Sequence, residues 1–237
     1  MTELPDIWSY LSSEPLSWLT ATLVVYLIGD WCSKKTGRAP LVNPVLIAMT
    51  LLGGILLATD TPYQTYFEGA QFVHFMLGPA TVALAVPLYQ NRAHIRASVI
   101  PMAGALIAGS VTAIVSALLI ARMMGVSGAE LMSLAPKSAT APVAIGIAQS
   151  IGGLPTLTAA LVILTGIIGA ITVTPLMNAI GVTDWRARGL AVGVAAHGIG
   201  TARAFQVNQT AGAFSGIGMG LNALLTALIT PYVLLIL

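Results

Sequence analysis

The residue with the most chemistry to offer is Lys137, within Leu134-Ala135-Pro136-Lys137-Ser138-Ala139-Thr140-Ala141-Pro142. The stretch lies inside an apolar run, and a lysine at mid-membrane depth costs on the order of 2.5 to 3.5 kcal/mol. The nearest acidic residue is Glu130, expected near the interface. An ammonium beside the Ser138 and Thr140 hydroxyls, with backbone groups freed by Pro136 and Pro142, is the arrangement expected of an anion site. A second constellation is Ala196-His197-Gly198-Ile199-Gly200-Thr201-Ala202-Arg203. Gly189, Gly193, His197 and Thr201 recur every four residues, so they are expected to share a helix face that packs closely on another backbone. His197 is suited to proton relay near neutral pH, and the Arg203 guanidinium to holding a carboxylate in two contacts. The third is Gly78-Pro79-Ala80-Thr81 with Pro87, expected to break a helix and turn Thr81 toward a cavity.

These residues must be positioned by a membrane protein. Of 237 residues, 57% are hydrophobic and only 8% charged, against about a quarter charged in soluble chains. The mean hydropathy is +0.89. A β-barrel is excluded because the apolar runs do not alternate in segments of about ten residues. The expectation is an all-α polytopic membrane bundle with proline-interrupted or re-entrant helices, one domain over 1–237 with an interfacial segment at 1–14. Apolar segments fall at about 15–32, 41–58, 66–90, 94–124, 127–152, 154–181, 188–206 and 211–237, joined by short loops. Glu3, Asp6 and Glu14 precede the first run, the reverse of a signal peptide, so the N-terminus is expected to be retained. Trp8, Tyr10 and Trp18 read as membrane-boundary residues.

Several classes of function drop out. A net charge of +2, scattered over short loops, argues against nucleic acid. Cys32 is the lone cysteine, and no Cys/His cluster suggests a metal or cofactor. A mid-membrane carboxylate pair for cation exchange, a Walker motif and a nucleophile–base pair are all missing, so neither an enzyme nor an ATP-driven pump is expected.

Lys34, Lys35 and Arg38, and then Arg92 and Arg96, mark cytoplasmic loops. If every later segment crossed, Arg186 and Arg188 would fall outside. A re-entrant hairpin in the fifth segment, with limbs of ten to twelve residues and Lys137 near its tip, returns them to the cytoplasm. Residues 79–90 echo residues 138–149 at one offset, through Ala80/Ala139, Thr81/Thr140, Ala85/Ala144 and Gln90/Gln149, which suggests an internal repeat. Asn43-Pro44 is either a cavity-facing break or a helix start. Gly212, Gly216 and Gly220 form a four-spaced face, expected to be a packing seam or a seam between copies in a homo-oligomer.

The runs Leu77 to Tyr89, Ala135 to Ala144 and Ala196 to Arg203, in this order and spacing, resemble the LrgB family over about residues 15–237. The resemblance implies an integral inner-membrane protein. Bacterial members are described as holin-like or antiholin-like modulators of murein hydrolase export and autolysis, beside a small LrgA/CidA-type membrane partner. Plant relatives look like plastid carriers of glycolate and glycerate, and some bacterial systems are linked to pyruvate. The Lys137 motif favours a secondary carrier of small monocarboxylates. Lys137 and Arg203 would then hold the carboxylate, and Ser138, Thr140, Thr81, Thr201 and His197 would complete the site.

Overall fold

The computed structural model describes residues 14–76, 79, 82, 83, 86, 89 and 92–236. The interfacial segment up to residue 13, the breaks expected at Gly78 and Pro87, and Thr81 lie outside these residues, whereas Pro79 occupies an exposed helical position. The regular elements among the described residues are all α-helices, and they divide into two compact units, residues 1–85 and 86–237.

The first unit contains α1 (Pro15–Lys35), α2 (Pro44–Ala58) and α3 (Tyr63–Phe75). Pro15 opens α1 where a missing N–H costs nothing, and Lys34 and Lys35 complement its C-terminal dipole. Asn43 resolves as a helix start, because its side chain accepts from the Val45 and Leu46 amides with Pro44 at the first helical position. Gly29 lets α1 approach the Pro44 backbone, and Gly69 lets α3 approach Trp18. Trp18 is buried and meets the Tyr66 ring edge-on at 5.8 Å, so it serves the packing of this unit instead of anchoring at a boundary.

The second unit contains α4 (Arg92–Ala97), α5 (Val99–Met123), α6 (Gly128–Leu134), α7 (Ala141–Ser150), α8 (Pro155–Ala179), α9 (Trp185–Val207) and α10 (Gln209–Ile236). Helices α5, α8 and α10, like α1, are long and apolar enough to cross a membrane. The fifth apolar segment does not continue as one helix. It breaks over residues 135–140 into limbs of 7 and 10 residues, and the chain comes back on itself. Gly152, at φ 81°, then turns the chain from α7 into α8, and Gly153 packs on the backbone of Met132 and Ser133. Ser133 fastens the return, its hydroxyl accepting from the Leu154 amide at 2.7 Å and its carbonyl from the Thr158 hydroxyl at 3.1 Å.

The seventh segment, expected as a plain helix, is also broken. His197 has φ 40° and ψ −133°, a conformation closed to ordinary helical residues. In a straight helix Val192 and Ala204 would stand about 18 Å apart; here they share one cluster with Ala211. Thus α9 is two half-helices, 185–196 and 198–207, folded back to back. The four-spaced face survives only in its first half, where Gly189 and Gly193 lie on the backbone of Ala211 and Ser215 of α10. Thr201 reaches Ser215 from the returning half, hydroxyl to hydroxyl at 2.8 Å. With α5 and α8 as crossings and both hairpins returning, Arg92 and Arg96 share a side with Arg186 and Arg188. Arg122 stands at the other end, in the last turn of α5, where a cation favours the helix C-terminus.

Asp184 begins α9 by accepting from the Arg186 amide at 2.8 Å. Its carboxyl is held down to about 2, chiefly by the Arg186 side-chain hydrogen bond. Because the folded value is depressed, the cap's contribution is complete above the ordinary carboxylate range and is lost only as pH falls toward 2.

Gly193→Val should lower the thermal midpoint of the detergent-solubilised protein, since a side chain there overlaps the Ser215 and Met219 backbone and such overpacking costs about 1 to 3 kcal/mol. Gly53→Ala, where an added Cβ meets nothing within 4 Å, should leave the midpoint unchanged or raise it. Equal losses in the two variants would refute close α9–α10 packing.

Candidate functional site

Two breaks in the second unit place the chemistry. At the first, Pro136, Ser138 and Ala139 are buried while Lys137 remains partly accessible. Its ammonium donates to the Ser138 hydroxyl at 3.2 Å. Pro142 sits in the first turn of α7, so the two prolines bracket the turn, one within it and one restarting the helix. Thr140 is the N-cap residue of α7, and its side chain makes no capping bond. At the second break His197 is 4% exposed, with Nε2 at 2.8 Å from the Val162 carbonyl of α8. A carbonyl only accepts, so Nε2 carries the hydrogen, and in the neutral ring Nδ1 is left as an acceptor. Gly166, one turn along α8, gives the ring its room, because a Cβ there would lie 2.6 Å from Cε1.

The breaks meet through α8 and α10. Val162, whose carbonyl receives His197, packs in one cluster with Ala139 and Ala144 of the first hairpin. Lys137 and His197 therefore stand at breaks that pack on the same stretch of α8. From α10, the Asn222 amide nitrogen donates to the Ser138 carbonyl at 3.0 Å and to the Val194 carbonyl at 3.1 Å. Its Oδ1 accepts from the Ser110 hydroxyl of α5 at 2.5 Å. Asn222 and Ser110 carried no spacing or motif to set them apart, because each stands among other small polar residues of a long apolar helix. A buried amide within a crossing helix was the available signal, since such a group must find partners.

The other expected residues divide. Thr201 braces the second break, donating to the His197 carbonyl at 2.7 Å. Arg203 is buried but sits toward the open end of the α9 hairpin, around a cavity of about 20 Å³ shared with Trp185, Arg188 and Val207, apart from the hairpin tip. Gly212 packs within the chain on the Phe205 ring; an added Cβ at Gly216 or Gly220 would meet nothing within 4 Å, and only Gly220 of the three is exposed. A half-open, mainly apolar cavity of about 450 Å³ runs between α5 and the first half of α9, from Ser98 and Arg186 to Ala113 and Ala195, two residues short of His197. Among the described residues no group of three metal-ligating side chains forms.

A model of the LrgB-like family matches residues 22–236. The chain belongs to the LrgB-like family. It is 34% identical to the Bacillus subtilis protein YwbG, described as uncharacterized, over 91% of this chain and 96% of the relative. It is 34% identical to the holin-like protein CidB of Staphylococcus epidermidis, over 91% and 93%, and 31% identical to that of Staphylococcus aureus, over 94% and 97%. No solved structure matches the chain. Four apolar helices of crossing length and membership of this family make it a multi-pass protein of the bacterial inner membrane.

Gly166→Leu should push the imidazole off the Val162 carbonyl. The expected result is faster modification of His197 by diethylpyrocarbonate, read by mass spectrometry, with a lower thermal midpoint. An unchanged modification rate in the folded variant would dismiss the Val162 contact.

Proposed function

We propose that this LrgB-family protein moves small monocarboxylates of the glycolate, glycerate or pyruvate kind across the inner membrane by alternating access, without a catalytic step. One observation carries this reading: Lys137 and His197, remote in sequence, sit at two helix breaks of one helical unit that share the Val162 stretch of α8 and the Asn222 amide. Broken helices at membrane depth expose backbone groups and half-helix ends, which is how secondary transporters build sites for anions. Lys137 takes the carboxylate, the Ser138 and Thr140 hydroxyls take the neighbouring oxygen, and His197 carries the coupled proton. Arg203 attracts the anion from the open end of the second hairpin.

A second reading is favoured by the relatives, since CidB of both staphylococci bears the name holin-like protein. Those names weigh toward holin-like action more than toward any carboxylate; the geometry of the breaks weighs toward the carrier. In the holin-like version the chain modulates murein hydrolase export beside a small LrgA/CidA-type membrane protein or as a homo-oligomer, and Lys137 plays no part.

Counterflow of labelled glycolate, glycerate and pyruvate in proteoliposomes, with dye leakage followed in the same vesicles, separates the two. The carrier reading expects counterflow without leakage, abolished in a folded Lys137→Ala variant. Leakage, or its suppression in vesicles holding the small partner with no dependence on Lys137, would replace it with the holin-like reading. His197→Gln should flatten the pH dependence of counterflow, and an unchanged pH profile would remove His197 from coupling.

A further inference from the structure

The second unit is built twice. A 25-residue helix, α5, leads through a short connection into a hairpin over residues 128–150. A second 25-residue helix, α8, leads through a short connection into a hairpin of the same length over residues 185–207. Each hairpin is broken near its middle, and each break carries one of the two basic side chains, Lys137 or His197. This correspondence differs from the weak echo between residues 79–90 and 138–149. Because α8 is one crossing later than α5, the second copy is inverted: the first hairpin enters from the side opposite the basic loops and the second from the basic, cytoplasmic side.

A helix broken at membrane depth leaves carbonyls without their usual amide partners. Val194 is such a case, since its helical partner would be the amide of Gly198, beyond the break at His197. The Ser138 carbonyl lies within the first turn. One side chain serves both, the Asn222 amide, which is 1% exposed and held from behind by Ser110.

We propose that Asn222 is a latch joining the tips of two oppositely facing gates, the 128–150 hairpin opening to the outside and the 185–207 hairpin to the cytoplasm. The proposal rests on reading the hairpins as the moving parts of a transport protein, but it needs no substrate. In this role Asn222 is a positioning residue: while its amide holds both carbonyls neither gate opens, and a solute that separates the tips must replace those bonds.

The test uses single cysteines in a Cys32→Ser background, Ser138→Cys at the first tip or Gly198→Cys at the second, where an added side chain meets only Met219 Sδ at 3.8 Å. A membrane-impermeant maleimide is applied from one side of oriented vesicles at a time, without substrate. With Asn222 intact the buried Ser138→Cys should label slowly, and Gly198→Cys, at an exposed position, gives the reference rate from which its change is read. Asn222→Leu should raise the rates about tenfold, as expected when buried hydrogen bonds are lost, at Ser138→Cys from outside and at Gly198→Cys from the cytoplasmic side. Labelling of both tips from one side overturns the inversion, and unchanged rates in the folded variant overturn the latch. If Asn222→Leu does not fold, Ser110→Ala, which removes the bond behind the amide, should raise both rates in the same directions by a smaller factor, and unchanged rates there overturn the latch equally. Failure of counterflow leaves these rates unaffected, so the latch and the carrier reading fail separately.

Discussion

Every backbone amide and carbonyl within a bilayer must find a partner inside the protein, and this requirement governs the second unit. The chain breaks two helices at depth and must then satisfy the groups that the breaks release. It does so with side chains that an apolar sequence keeps few: Ser133 for the return of the first hairpin, Thr201 for the turn at His197, and Asn222 for one carbonyl at each break. The buried hydroxyls and the amide are concentrated where the backbone departs from helix.

Packing obeys the same economy. Lipid tails are as apolar as leucine, so helices gain by close approach and not by hiding oily faces. Gly189 and Gly193 bring the first half of α9 onto the α10 backbone, and Gly166 opens the space that the His197 ring fills. The unusual backbone at His197 persists because its ring, carbonyl and neighbours are all engaged. Lys137 differs: it is partly accessible, and among the described residues it donates to the adjacent Ser138 hydroxyl.

The relatives and the geometry bear on different levels. Family membership fixes the setting, an inner-membrane protein with holin-like kin, while the paired breaks bring Lys137, His197 and the Asn222 amide into one helical unit.

Much of this was legible in the residues. Composition alone determined an all-α membrane bundle, because no other secondary structure satisfies its backbone in runs of that length. Pro136 and Pro142 marked the first break, and the basic residues at 186 and 188 required a segment that does not cross. The second break carried no such mark: Gly198 and Gly200 are compatible with a packed helix, and the turn shows only in the His197 backbone and in Val192 meeting the returning half at Gly200. A hydrophobic run states how much chain enters the membrane but not whether it comes back, since both paths bury the same side chains. The partners of Asn222 and His197 were likewise settled by tertiary structure, because a polar side chain in an apolar helix declares that it needs a partner without naming one 28, 35 or 84 residues away.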